Sequence, residues 1–328
     1  MRPSEITRSL ETLIATQWPV FLWGPPGVGK SSVVRQVASA ASLEVIDIRA
    51  PLLDPTDLRG LPSVENGKAQ WCPPAFLPHE ETSRGILFFD ELNAAPPLVQ
   101  ASLYQLTLDR RIGEYRLPAG WKIIAAGNRS TDASVVFRMP AALANRFIHM
   151  EFEADFEDWR NWAQAKDIHP LVVAFLSLRR ELLFDMKKPE RGFPTPRTWE
   201  MLSDVVRAFG APDLSQLPIY TGTVGEGAAV EFLSYCRESI GEAEVRKILK
   251  NPEKAALPSK LSDQYALIAY IPALMKHEDF SEAAALLLSR LQPELAILLL
   301  RNLMRQSKKF ARLPGVRKFM AAHSEVIL

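Results

Sequence analysis

The amino-acid sequence predicts an α/β protein in which helices cover a mainly parallel sheet, followed by an all-helical half. Three observations predict it. Short apolar runs alternate with helical stretches over roughly the first 150 residues, the pattern of βαβ units. A glycine-rich loop joins the first of these runs to a helix. After Phe152 the chain changes to long Leu/Ala/Val-rich segments of helical period.

In chain order, Ile6, Leu10, Leu13 and Ile14 stand at helical spacing behind Ser4, a candidate N-cap, so residues 3–16 open the chain as a short amphipathic helix. Residues 20–23 form a brief apolar strand. Further strand-like runs lie at 43–48, 86–90, 122–126 and 147–152, and helical stretches at 31–41 and 98–108. In the second half, 170–184, 226–240, 279–291 and 293–305 have helical period. The Pro/Gly-marked stretch from Gly210 to Gly227 marks a boundary ahead of a third unit. No internal repeat is visible.

Composition bounds the function. The 328 residues carry 39 Lys+Arg against 38 Asp+Glu, a net charge of +1, so no global field draws the chain to polyanions. Hydrophobic residues at 47% and charged residues at 23% are ordinary globular usage, which excludes disorder and fibrous repeats. Two distant cysteines, Cys72 and Cys236, provide neither a disulfide framework nor a four-ligand zinc site, and point to a reducing cytosol. His79, His149 and His169 lack metal-ligand spacing. The polar start has no apolar h-region and no window is long enough for a membrane span, so a soluble, unexported cytoplasmic protein is expected.

The strongest motif is Gly24-Pro25-Pro26-Gly27-Val28-Gly29-Lys30-Ser31-Ser32, which fits G-x-x-x-x-G-K-[ST] between a strand and a helix. Its glycines turn successive N–H groups into one concavity that, with the helix N-terminus, binds phosphate oxygens. Gly24, Pro25, Gly27, Val28, Gly29, Lys30, Ser31 and Ser32 are therefore the expected nucleotide-binding residues. Lys30 is expected on the β/γ-phosphates and Ser31 on Mg²⁺, which makes the first half a P-loop NTPase core. The apolar run before Asp90 and Glu91 ends in two carboxylates, on another strand of the same sheet. Ligands of open parallel sheets lie at such strand ends. Asp90 is expected to face the metal and Glu91 to hold the attacking water as general base. Asn128 ends a third such run, where it can orient that water or touch the γ-phosphate.

These pieces in this order resemble the AAA+ ATPases, and the run from Asp90 through Asn93, Pro96, Pro97, Val99 and Gln100 resembles their MoxR branch. Residues 52–60 and 70–78 resemble that branch's helix-2 insertion, with Asn66-Gly67 as a type I′ turn signal inside it, and 111–116 resembles the hairpin before sensor 1. The resemblance covers about residues 1–210. It implies an α/β nucleotide-binding domain over 1–153 and a helical lid with sensor 2 over 154–210, while the helical segments beyond that boundary are read as a C-terminal helical extension over 211–328. It further implies ATP with Mg²⁺, Arg146 as an arginine finger acting in trans, Arg197 as sensor 2 in cis, and Arg129 and Arg138 as further trans contacts. A supplied arginine accelerates phosphoryl transfer by about 10³–10⁵. A finger in trans requires an oligomer, and the family implies a hexameric ring that remodels a client, with a partner carrying a von Willebrand factor A domain. The two hairpins are expected to engage the client. The alternatives are a chelatase-like motor subunit and a nucleic-acid remodeller. The latter would use the run 295–324, which carries Arg301, Arg305, Lys308, Lys309, Arg312, Arg317 and Lys318 without one acidic residue. Only Phe310 and Phe319 supply aromatic rings there, too few for a stacking platform, so nucleic acid is the less favoured partner.

Overall fold

The computed structural model describes residues 1–132, 137–186 and 191–323, which fall into two compact units, Met1–Asp155 and Phe156–Leu328. In the first unit α1 (Pro3–Leu13) buries Ile6 and Leu10. Its cap is Arg2 and not Ser4: Pro3 occupies the first helical position, and the Glu5 carboxylate accepts the Arg2 backbone N–H at 3.1 Å. The chain continues through β1 (Val20–Trp23), α2 (Lys30–Ala40), β2 (Glu44–Arg49), α3 (Pro55–Arg59), β3 (Leu61–Glu65), β4 (Lys68–Cys72) and β5 (Arg84–Asp90). It then forms α4 (Pro97–Asp109), β6 (Arg111–Ile112), β7 (Tyr115–Arg116), β8 (Gly120–Gly127), α5 (Ala141–Ala144) and β9 (Ile148–Glu151).

Five of these strands make one parallel sheet in the order β2-β5-β8-β1-β9. The central strands read as continuous apolar runs because both faces are covered, β5 being buried from Gly85 to Asp90. On one face Phe21, Leu87, Phe89, Trp121 and Phe147 pack with Leu103 of α4 and Leu143 of α5. The strand order reverses direction at β1, which lies between the later strands β8 and β9. Such a switch point opens a crevice at the carboxyl ends of the strands. The two hairpins stand apart from this sheet. Asn66 (φ 51°) and Gly67 (φ 72°) close β3 onto β4 as the type I′ signal predicts, and Gly113 and Glu114 close β6 onto β7.

The second unit comprises α6 (Phe156–Ala165), α7 (Pro170–Leu178), α8 (Pro196–Phe209), α9 (Leu217–Val224), α10 (Glu226–Glu238), α11 (Glu242–Lys250), α12 (Leu261–Leu274), α13 (Ser281–Leu288), α14 (Pro293–Gln306) and α15 (Pro314–Ala322). Its core draws on both sides of residue 210: Phe175, Trp199, Phe232, Leu267 and Leu299 are all buried in one cluster. The stretch 210–227 is not a plain connection. Asp213 caps a short 3₁₀ turn through the Ser215 N–H at 2.9 Å, and α9 packs between α8 and α10. The helical period over 170–184 resolves into α7 and a 3₁₀ turn, Arg180–Leu183, with the Trp199 indole bound to the Leu182 carbonyl at 2.7 Å. Ser324, the end of the basic run, lies outside the described residues.

Candidate functional site

The loop between β1 and α2 builds the first part of the site. Gly29 caps α2 at φ 105°, where a β-carbon would be strained, and a side chain there would project into open space. Lys30 is the first residue of α2 and is buried, so its ammonium needs partners. It donates to the carbonyls of Gly24 at 2.5 Å and Pro25 at 3.0 Å and to Oδ1 of Asn128 at 3.0 Å. The first turn of a helix carries backbone N–H groups that the helix itself does not satisfy, and α2 begins at this loop, an anion-binding arrangement. Val28 is buried and Ser32 exposed.

The second part comes from the end of β5. Asp90 is 4% exposed, and both of its oxygens are engaged. Oδ2 accepts from Ser31 Oγ at 2.8 Å and from Arg49 Nη1 at 2.6 Å, while Oδ1 accepts the Glu91 backbone N–H at 3.0 Å. Ser31 and Asp90 thus present two hard oxygens side by side. Glu91 is exposed and adopts φ 56°, ψ 36°, a left-handed conformation rarely taken by a residue with a β-carbon. Strain of this kind gathers where a side chain must be aimed for a task. The Asp90 hydrogen bond to the Glu91 N–H helps hold it there.

The third part is the end of β8. Asn128 follows Gly127 and reaches Lys30, while its own carbonyl accepts from Asn93 Nδ2 at 2.7 Å. Gly127 is required by close approach: a β-carbon would stand 2.2 Å from Asn93 Oδ1 and 2.9 Å from the Phe21 ring. Sequence reasoning missed Arg49 as a site residue and gave Asn93 no role. Each acts through a neighbour that only the strand order supplies, β2 beside β5 for Arg49 and β5 beside β8 for Asn93.

The structure therefore brings Gly24, Pro25, Lys30, Ser31, Asp90 and Asn128 together. Arg146 is not joined to them: its guanidinium lies 4.1 Å from the Tyr104 ring centroid and donates to the Ala142 carbonyl. Arg129 pairs with Asp132 at 3.3 Å and Glu151 at 3.7 Å, and Arg138 is exposed. Arg197 stands exposed in the first turn of α8, in the second unit, behind the Thr195 cap that accepts the Thr198 N–H at 3.1 Å. Among the described residues no cluster of three or more His, Cys, Asp or Glu side chains could hold a metal on its own.

The family model described as the AAA domain of the dynein-related subfamily matches residues 19–147. The chain is 31% identical to Protein MoxR of Paracoccus denitrificans over 142 residues, 42% of this chain and 41% of that protein. It is 32% identical over 116 residues to an uncharacterized AAA domain-containing protein of Schizosaccharomyces pombe, 34% of this chain and 14% of that protein. The match thus spans less than half the length of either curated relative. Among solved structures, the Thermotoga maritima RuvB Holliday junction branch migration motor aligns with 83% of this chain and 87% of its own at 19% identity, with a TM-score of 0.39.

Proposed function

We propose that residues 19–147, which match the AAA domain model and part of a MoxR protein, form a MoxR-like AAA domain, and that the protein hydrolyses ATP with Mg²⁺ in an oligomeric ring, remodelling or activating a client protein. The observation that carries the reading is the paired contact Lys30–Asn128 and Ser31–Asp90, which gathers four polar side chains from three strand ends around the phosphate loop. Mg²⁺ fits this donor set, since it binds few protein oxygens and keeps the rest of its shell for phosphate and water. When bound it neutralises the charge of the phosphates.

In this reading the loop N–H groups and Lys30 hold the phosphates, and Ser31 and Asp90 hold the metal. Glu91 takes a proton from the attacking water, and Asn128 orients that water. Arg146 serves the neighbouring subunit's site, because its guanidinium is directed to Tyr104 and Ala142 instead of its own loop. Arg197 carries the sensor 2 role its motif implies, and Arg129 and Arg138 are secondary trans contacts. Head-to-tail contacts that close make a ring, and six subunits are the expected number. Residues 154–210 act as the lid and 211–328 as an extension.

The β3–β4 hairpin exposes Leu61 and Val64 at 72% and 77%, which suits it to gripping a client. The von Willebrand factor A partner and a cytoplasmic location belong to the same reading. No described helix is long and apolar enough to cross a membrane. Nucleic acid remodelling is less favoured, because Phe310 and Phe319 are buried and leave the basic run without exposed rings. The test is Mg²⁺-dependent ATP turnover by the purified chain. Lys30→Ala should abolish nucleotide binding, whereas Glu91→Gln should bind ATP and stall; wild-type turnover by Glu91→Gln would remove the general-base role.

A further inference from the structure

Four aromatic rings stand together where β1 and β9 run side by side: Phe21, Trp23, Phe147 and His149. The Phe21 and Trp23 centroids are 4.2 Å apart, Phe21 and Phe147 meet edge to face at 5.5 Å, and Trp23 and His149 stack at 5.9 Å. Within this group His149 makes two hydrogen bonds that fix its proton. The Trp23 indole, which can only donate, lies 2.8 Å from Nδ1, so Nδ1 is unprotonated. The Ala144 carbonyl, which can only accept, lies 2.8 Å from Nε2, so Nε2 carries the hydrogen.

Each end of this pair lands on a residue that matters. Trp23 immediately precedes Gly24, whose carbonyl holds the Lys30 ammonium at 2.5 Å. Ala144 ends α5, two residues before Arg146, and its carbonyl also accepts the Phe147 N–H at 3.1 Å. The short segment carrying Arg146 is thereby fastened on both sides, by His149 at its base and by the Tyr104 ring at the guanidinium. A helix as short as α5 has little hydrogen bonding of its own to fix its direction.

We propose that Trp23 and His149 are positioning residues that set the aim of Arg146 from the phosphate loop of the same subunit. The inference rests on the reading of Arg146 as a finger given to the neighbouring subunit. It adds a route by which a ring passes information: Lys30 is tied to Gly24, Trp23 to His149, and Ala144 to the turn that presents Arg146. Two side-chain hydrogen bonds then lie between one subunit's phosphate-binding loop and the charge it offers to the next. The arrangement sets turnover and leaves nucleotide affinity alone, because an arginine finger acts on charge that develops in the transition state.

The experiment uses the full chain in assembled rings, with ATP affinity and kcat measured separately. Trp23→Phe keeps the ring and deletes only the donor, and His149→Leu deletes both bonds. Each is expected to lower kcat by about three- to tenfold, the effect of losing one or two neutral hydrogen bonds, with ATP affinity unchanged. His149→Gln retains an acceptor and a donor and should recover part of the loss. In an Arg146→Ala background neither Trp23→Phe nor His149→Leu should lower the residual rate further, because the residue through which they act is gone. Nitrogen-15 spectra of the wild-type imidazole should show the Nε2–H tautomer, a readout independent of turnover. Wild-type kcat in Trp23→Phe and His149→Leu, a further multiplicative loss on top of Arg146→Ala, or the Nδ1–H tautomer would each overturn the relay. Wild-type turnover by Arg146→Ala would instead overturn the finger, and the relay with it.

Discussion

Arg49 donates to Oδ2 of Asp90 at 2.6 Å, across the pairing of β2 and β5 that sets these two residues in register. Asp90 is 4% exposed, and its charge is held by this guanidinium and by the hydroxyl of Ser31. Arg49→Met therefore leaves a buried carboxylate with no cation, which is destabilising by about 1–3 kcal/mol, less than for a fully buried pair because Arg49 is half-exposed. Asp90→Asn in the same chain removes the orphaned charge and should recover much of the loss. Thermal unfolding of both single variants and the double variant measures the coupling, at about 2–4 °C per kcal/mol for a unit of this size. A strictly additive cycle would mean that the pair contributes nothing.

Gly127 gives a second expectation. The β-carbon of Gly127→Ala would collide with the Asn93 amide, which is buried and tied to the Asn128 carbonyl. Relief requires Asn93 or Asn128 to move, and Asn128 is the partner of Lys30. Overpacking of this kind costs about 1–3 kcal/mol. ATP turnover should fall at least about tenfold through the misplaced Asn128, with nucleotide binding retained. A variant with wild-type kcat would show that Asn128 tolerates displacement.

How much of this was legible in the sequence depends on how far apart the partners lie. The phosphate loop, the Asp90-Glu91 strand end and the Asn66-Gly67 turn are local patterns, and each appears in its expected place because backbone conformation over a few residues decides it. Arg49, Asn93, Trp23 and Tyr104 drew no functional reading because their roles arise from pairings between distant segments. A strand such as β2 shows its apolar residues but not which neighbour it will join. The Ser4 cap failed on a finer point, since Pro3 favours the first helical position and moves the cap back to Arg2. The stretch 210–227 read as a boundary because its Gly and Pro residues mark helix ends; it is crowded with ends because the helices there are short.

In the second unit His169 caps α7, its Nδ1 accepting the Leu171 N–H at 3.2 Å. Burial, reinforced by the Arg207 charge, pushes its pKa down from 6.5 to about 4. The folded value lies below the unfolded one, so between about pH 6.5 and 4 the unfolded chain binds the extra proton, and stability is lost as pH falls through that window. The effect is on the order of 3 kcal/mol. His169→Asn keeps an N-cap acceptor without a titrating ring and should flatten the dependence of Tm on pH between 4 and 7. An unchanged slope would place the acid sensitivity elsewhere.

The arrangement of Arg146 carries the last expectation. Its guanidinium is engaged with Tyr104 and Ala142, so in the proposed ring a subunit's own site lacks a finger and the neighbour must supply one. Arg146→Ala should bind ATP as the wild type does and lose turnover, because the lost charge acts on the transition state. Glu91→Gln carries the complementary defect, an intact Arg146 beside a site without its base. In a ring mixed from the two variants, some interfaces join the intact Glu91 of an Arg146→Ala subunit to the intact Arg146 of a Glu91→Gln subunit. Those interfaces are complete, and hydrolysis should return in proportion to their number, passing through a maximum as the mixing ratio is varied. Two defects confined to the same subunit's site could not rescue each other in this way. The measurement is ATPase rate against mixing ratio, with mass photometry confirming that rings form. Zero activity at every ratio, with subunit exchange shown by differently tagged chains, would remove Arg146 from the trans role.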